Sequence, residues 1–168
     1  MLNYICLGIA AGLVALDQLV KFWAEHSLSQ VDTIALIPGV FHLTYVQNFG
    51  AAFNTMNNQR LLLVVLTSAV LLVIFVLLLL GKLRSPWMVV SWSLILAGGA
   101  GNLIDRLFRE GGYVVDLFDF RLINFPVFNV ADICVTVGMA LFLIYFIFIE
   151  RKEHRRFEIR QEIKRHEQ

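Results

Sequence analysis

Four stretches of the chain are almost free of polar side chains, and the segments between them are not. Residues 61–80 and 86–104 carry no charged side chain. Residues 1–16 are also uncharged, and that run continues past Asp17 and Lys21 to about Ala24. The fourth stretch, 133–149, is extended backwards by Asn129, Val130 and Ala131. A helix rising ~1.5 Å per residue needs about 20 apolar residues to cross a hydrocarbon core of ~30 Å. Runs of this length predict membrane-spanning helices, at about 4–24, 61–80, 86–106 and 131–149. The first run lacks a basic leader and a small-residue cleavage site, so it reads as a retained helix rather than a cleaved signal peptide.

The intervening segments have their own pattern. Residues 33–37 and 40–46 are β-prone and flank Pro38-Gly39, a turn signal. Residues 113–120 are β-prone as well and follow Gly111-Gly112. A small sheet on one membrane face is expected. The fold class is then an all-α membrane protein, a four-helix bundle with a small β-sheet, over a single domain 1–168.

Composition agrees with this pattern. Of 168 residues, 58% are hydrophobic and 16% charged, where soluble domains hold about 25% charged residues. Mean hydropathy is +0.72. The net charge of +1 says less than where the charges lie. Lys82 and Arg84 occupy the short loop 81–86, and the tail 150–168 carries Arg151, Lys152, Arg155 and Arg156 near the membrane. The positive-inside rule places both on the cytoplasmic side, together with both termini. Segments 25–60 and 107–130 then face outward. Acids interleave with the bases of the tail, which argues against nucleic-acid binding and for a topology anchor at an anionic leaflet. Cys6 and Cys134 lie in apolar runs and read as buried thiols. His26 and His42 lack ligand spacing, so no metal site is expected.

The placement of the carboxylates carries the chemistry. Asp17, Asp105 and Asp132 sit within or at the edges of spanning helices, and Asp116 lies in an outer segment. With the topology above, all four lie toward one face. Ionisable groups at membrane depth are costly, so each calls for a partner or a function. Asp17 and Lys21, spaced i,i+4, read as a structural ion pair. Asn102 and Arg106 share that spacing and follow Gly98-Gly99-Ala100-Gly101, which lets another helix backbone approach. Asp132 alone could be a cap, because a carboxylate suits a helix's first turn. Asp116 and Asp132 are the favoured pair, since the chain between them is long enough to fold back. Two carboxylates ~4.5 Å apart at an effective dielectric of ~20 repel by about 3.7 kcal/mol, roughly two to three pKa units. Phe118, Phe125 and Phe128 nearby would add desolvation. One acid would hold a proton while the other stays ionised, the arrangement of an aspartic protease. Asp119 competes for the role of Asp116, and periodicity alone does not choose between them.

Five motifs resemble those of the bacterial lipoprotein signal peptidases (signal peptidase II). They are LDQLVK (16–21), QNFGAAF (47–53), GGAGNLIDR (98–106), VVDLFDF (114–120) and FNVADICVTVG (128–138). They occur in the family's order and cover nearly all of the chain except the tail. The resemblance implies that Asp116 and Asp132 are the catalytic pair and that Asp119 is not. It implies that Asn48 and Gly50 help form a substrate groove, that Asn102 and Arg106 contact substrate, and that Asn129 orients the dyad. Phe49 departs from the small or polar residue common in the family at that position. The resemblance further implies an enzyme without cofactor in a bacterial inner membrane, its site near the outer face, working as a monomer among membrane lipids. Its substrate would be a diacylglyceryl-modified prolipoprotein, cleaved before the lipidated cysteine. It would be a target of the cyclic peptide antibiotic globomycin. The outer sheet would form a cradle over the site, with a short amphipathic surface helix in 48–57. Two other readings remain, a proton-relay or transport subunit and a structural membrane protein. The first would spread polar residues through the membrane, yet 61–80 holds only Thr67 and Ser68. The second leaves the acids flanking an outer loop unexplained.

Overall fold

The computed structural model describes residues 1–31, 33–50, 59–83, 85–149 and 165. The expected amphipathic helix over 48–57 falls mostly outside these residues, as does the tail 150–168 apart from Arg165. Among the described residues four helices are long and apolar enough to cross a membrane. They are α1 (Leu2–Ser27), α2 (Arg60–Leu79), α3 (Pro86–Phe108) and α4 (Val130–Ile144), the last prolonged by a π-helical turn, Tyr145–Ile149. In their most apolar windows only 17% to 33% of positions are buried within the protein. Leu61, Leu72, Val73 and Phe146 all point outward. An apolar surface this extensive is tolerable only where lipid is the solvent. The expected spans hold, with α1 and α3 each a few residues longer.

α3 is the hub and packs against α4, α1 and α2. Its small residues explain why. A side chain at Gly98 would strike the Ala131 carbonyl and Val135 of α4, and one at Gly101 would strike the Asp17 carboxylate of α1. Gly138 of α4 returns the fit, lying against the Ser91 carbonyl and Ile95. Without a hydrophobic drive between helices in lipid, such close backbone approach is what holds them together. One core cluster joins Cys6, Leu71, Ile74, Leu78 and Val89. A second joins Ala24, Leu28, Val115 and Leu117, where the end of α1 meets the sheet.

The sheet is antiparallel, in the order β1 (Thr33–Ile37), β2 (Phe41–Asn48), β3 (Val114–Phe120). Gly39 takes a φ of 72° in the turn between β1 and β2, where the sequence signalled one. β2 gains a residue on β3 between Leu43 and Val46, a bulge that bends the ribbon. After β3, a 3₁₀ turn (Arg121–Ile123) and a left-handed Asn124 reverse the chain. Phe128 then bonds back to β3, donating to the Phe118 carbonyl at 3.1 Å and accepting from the Phe118 and Leu117 amides. This return stretch delivers Asn129 and the start of α4 alongside Asp116.

Candidate active site

Asp116 lies on the face of β3 that also carries Val114, and Asp132 lies in the first turn of α4. Both border one cavity of about 600 Å³. Asp116 is buried and Asp132 half-buried. The cavity is polar at this end, where Asn48, Asn102 and Arg106 join the acids. Its remaining wall is mostly apolar, with Leu63 from α2, Phe125 and Phe128 from the return stretch, and Ile133 and Val137 from α4, interrupted by Thr67 and Thr136. Phe118 does not line the cavity; its ring packs behind Phe128 at 5.6 Å.

Among the described residues, each of the four carboxylate oxygens accepts from a donor. Asp116 accepts from Asn48 Nδ2 at 3.0 Å and from Asn129 Nδ2 at 2.6 Å. Asp132 accepts from Asn102 Nδ2 at 2.8 Å and from the Asn129 backbone amide at 3.2 Å. Asn129 in turn accepts from the Asp132 amide at 2.9 Å, so the two residues form a capping box at the start of α4. The cap and the acid pair are therefore the same residue in two roles. Burial, and then the charge of Asp132, push Asp116 up to about 7, against the pull of the Asn48 and Asn129 donors and the Lys21 ammonium.

Arg106 projects from the end of α3 into the same cavity. Its guanidinium donates to the Gly50 carbonyl at 3.0 Å and to the Asn102 carbonyl at 3.3 Å. Gly50 also donates from its amide to Asn48 Oδ1 at 2.9 Å. The residues named from the sequence for this site (Asn48, Gly50, Asn102, Arg106, Asp116, Asn129 and Asp132) thus converge on one region.

Asp119 points away from it. Three residues along β3, it sits opposite His42, accepts from Thr44 at 2.7 Å and pairs with Arg121 at 2.7 Å. Burial works against its charge, but the Arg121 guanidinium and the Thr44 hydroxyl hold Asp119 below the usual carboxylate range.

Asp17 and Lys21 form the expected ion pair at 2.8 Å, both fully buried, and Asp105 completes it at 2.8 Å from Lys21. Several partners escaped the sequence reading. Asp17 caps α4 by accepting from the Ala131 amide at 2.8 Å. Arg109 bridges Asp105 and Glu25, and Tyr113 donates to Glu25 at 2.8 Å. Arg60 donates to the carbonyls of Arg106 and Leu107 at the end of α3. Phe49 lies 5.7 Å from the Tyr113 ring, which gives this departure from the family pattern an aromatic partner. Thr67 lines the cavity. The signals available were the i,i+4 spacing of Asp105 and Arg109 and the single charge at the head of α2.

A family model described as Signal peptidase (SPase) II matches residues 9–148. A lipoprotein signal peptidase of Streptococcus thermophilus is 43% identical over 84% of this chain and 92% of its own length. One from Clostridioides difficile is 43% identical over 83% and 93%, and one from Brevibacillus brevis 40% over 88% and 97%. A bacterial membrane enzyme solved by the in meso method at 2.3 Å resolution superimposes with a TM-score of 0.78 at 29% identity, covering 85% of this chain and 87% of that one.

Proposed function

The chain belongs to the signal peptidase II family, and from that premise we propose that it is an aspartyl endopeptidase releasing the signal peptide from diacylglyceryl-modified prolipoproteins. The cut falls on the N-terminal side of the lipidated cysteine. The observation that carries this reading is the meeting of Asp116 and Asp132, from separate elements, at the polar end of one largely apolar cavity. Such a pair shares a proton because both members cannot easily ionise together. The ionised carboxylate takes a proton from a water as its oxygen adds to the scissile carbonyl carbon. The protonated one donates to the carbonyl oxygen. Collapse of the tetrahedral adduct passes a proton to the leaving amine and returns the dyad to its single-proton state. Water is the nucleophile, so the mechanism calls for neither metal nor organic cofactor.

Arg106 and Asn102 face the dyad and would hold the substrate backbone, with Asn48 and Gly50 forming the groove beside them. The apolar wall of Leu63, Ile133 and Val137 suits acyl chains or signal-peptide side chains entering from the bilayer. Both termini lie in the cytoplasm and the site lies near the outer face of a bacterial inner membrane. The enzyme works there as a monomer of one domain, open to competition from globomycin.

The test is cleavage of a diacylglyceryl-modified prolipoprotein in detergent, with no partner added. Asp116→Asn and Asp132→Asn should each lose at least ~10³-fold in kcat, by analogy with removal of a reacting group elsewhere. Asp119→Asn should remain active. An inactive Asp119→Asn beside an active Asp116→Asn would move the dyad along β3. Cleavage by every variant would remove the aspartyl mechanism.

A further inference from the structure

Each of the three asparagines that touch the dyad has its amide turned by a group that can only donate. Asn48 Oδ1 faces the Gly50 amide and Asn129 Oδ1 faces the Asp132 amide. Asn102 Oδ1 faces the Lys21 ammonium at 2.8 Å and takes a second, longer bond from Asn129 Nδ2 at 3.2 Å. Two of these orienting groups are backbone amides fixed by the fold. The third is a charged side chain on a different helix.

Lys21 is 0% exposed and all three of its protons are committed, to Asp17, Asp105 and Asn102, each at 2.8 Å. An ammonium has no lone pair, so the amide oxygen of Asn102 must face it and the amide nitrogen must face the other way. On that other side is Asp132 Oδ1, at 2.8 Å. We propose that Lys21 is a positioning residue of the catalytic step, locking the Asn102 amide so that it presents N–H to Asp132. The proposal rests on the dyad reading above. It gives the ion pair a second task beyond joining helices.

The charged surroundings are few. Asp17 of α1 and Asp105 of α3 face Lys21, and Asp105 also meets Arg109. Asp116 of β3 and Arg106 of α3 face Asp132, and the Lys21 ammonium itself bears on Asp116. With Lys21 gone, among the described residues only the longer Asn129 contact holds the Asn102 oxygen away from the dyad. A reversed amide would aim a lone pair at Asp132 in place of an N–H. That favours the more protonated state of the pair, so the acid limb of the pH–rate profile moves upward.

The experiment measures pH–rate profiles on full-length protein with a lipidated prolipoprotein substrate. Lys21→Met is combined with Asp17→Asn, so that no uncompensated charge is buried and Asp105 keeps Arg109 as its partner. Lys21→Arg is the donor-only control, and thermal unfolding reports the fold. The expected result for the double variant is a roughly 10- to 100-fold loss in kcat, little change in KM and an acid limb raised by ~1 pH unit. Lys21→Arg should keep the wild-type limb. In an Asn102→Ala background the Lys21 change should shift the limb no further. Lys21→Gln with Asp17→Asn gives the same comparison should methionine not be accommodated. A folded double variant with an unmoved limb, or an equal shift without the Asn102 amide, overturns the proposal. So does failure of both charge-balanced variants to fold while Lys21→Arg folds, which leaves Lys21 a scaffold residue. A wild-type profile with no limbs at all would instead overturn the dyad reading.

Discussion

Asp116 is buried on a strand with another carboxylate across the cavity, and both facts oppose its ionisation. Its proton leaves at about 7 rather than near the ordinary 3.8. Two consequences follow at this residue. On the proposed mechanism turnover requires one proton on the dyad, so the rate should fall as pH rises through about 7 and fall again in acid, where both members are protonated. A rate flat from acid to strongly alkaline pH would contradict this. Stability carries the same imprint with a definite sign. Below the ordinary carboxylate value Asp116 is neutral folded or unfolded and costs nothing. Above about 7 its folded form is forced to ionise against its surroundings, so its contribution to stability is lost as pH rises through that value. Asp116→Asn removes this loss, and its melting temperature should exceed that of wild type at pH 8 with the gap closing toward pH 4. The sequence placed Asp116 and Asp119 in one motif but did not separate them by pattern. The separation comes from β3 itself, where positions i and i+3 take opposite faces and only Asp119 finds Thr44 and Arg121.

At the scale of elements, the four helices were legible because lipid imposes a length and excludes charge, and both are visible along the chain. The strands were legible from the Pro38-Gly39 turn. The return stretch was not. Its course depends on a left-handed Asn124 and on Phe128 pairing with Phe118, contacts that leave no periodic trace. The glycines of α3 and α4 make a prediction of their own. A methyl group at Gly98 meets the backbone of α4, which cannot step aside as a side chain tip can. Gly98→Ala should lower the melting temperature by several degrees, at roughly 2–4 °C per kcal/mol for a chain of this size, and lower activity with it. Gly12→Ala, with open space around it, should do neither. Arg60 offers a second case. Its guanidinium lies against Gly112, whose φ of 72° already disfavours a side chain, and bonds the last carbonyls of α3. Gly112→Ala should loosen the junction of α2 with α3 and speed proteolysis there, measured against wild type by limited digestion in detergent.

Across the whole molecule, the sequence reading captured the bundle and the sheet, and the residues it named for a site lie near one another in the fold. It did not capture how charge is balanced beneath them. Glu25, Arg109, Tyr113 and the capping of α4 by Asp17 join positions more than eighty residues apart, a pairing that only the packed bundle defines. Cys6 and Cys134 report on that packing. Both are buried, free thiols in separate helices. A maleimide reagent should leave them unmodified in the folded enzyme and label both after denaturation. Labelling of the native protein would mean that the helices part more readily than this packing allows.

The buried cluster of Asp17, Lys21 and Asp105 also sets an order of events during synthesis. The first helix emerges from the ribosome long before the third and fourth exist, yet it carries a carboxylate and an ammonium into the bilayer. Their i,i+4 spacing lets each neutralise the other within one helix until later partners arrive. Asp105 and Asn102 join when the third helix enters, and the Ala131 amide closes the arrangement only with the fourth. Asp132 comes with that last helix. On the proposed mechanism, a nascent chain therefore lacks a complete acid pair until its fourth helix is in place.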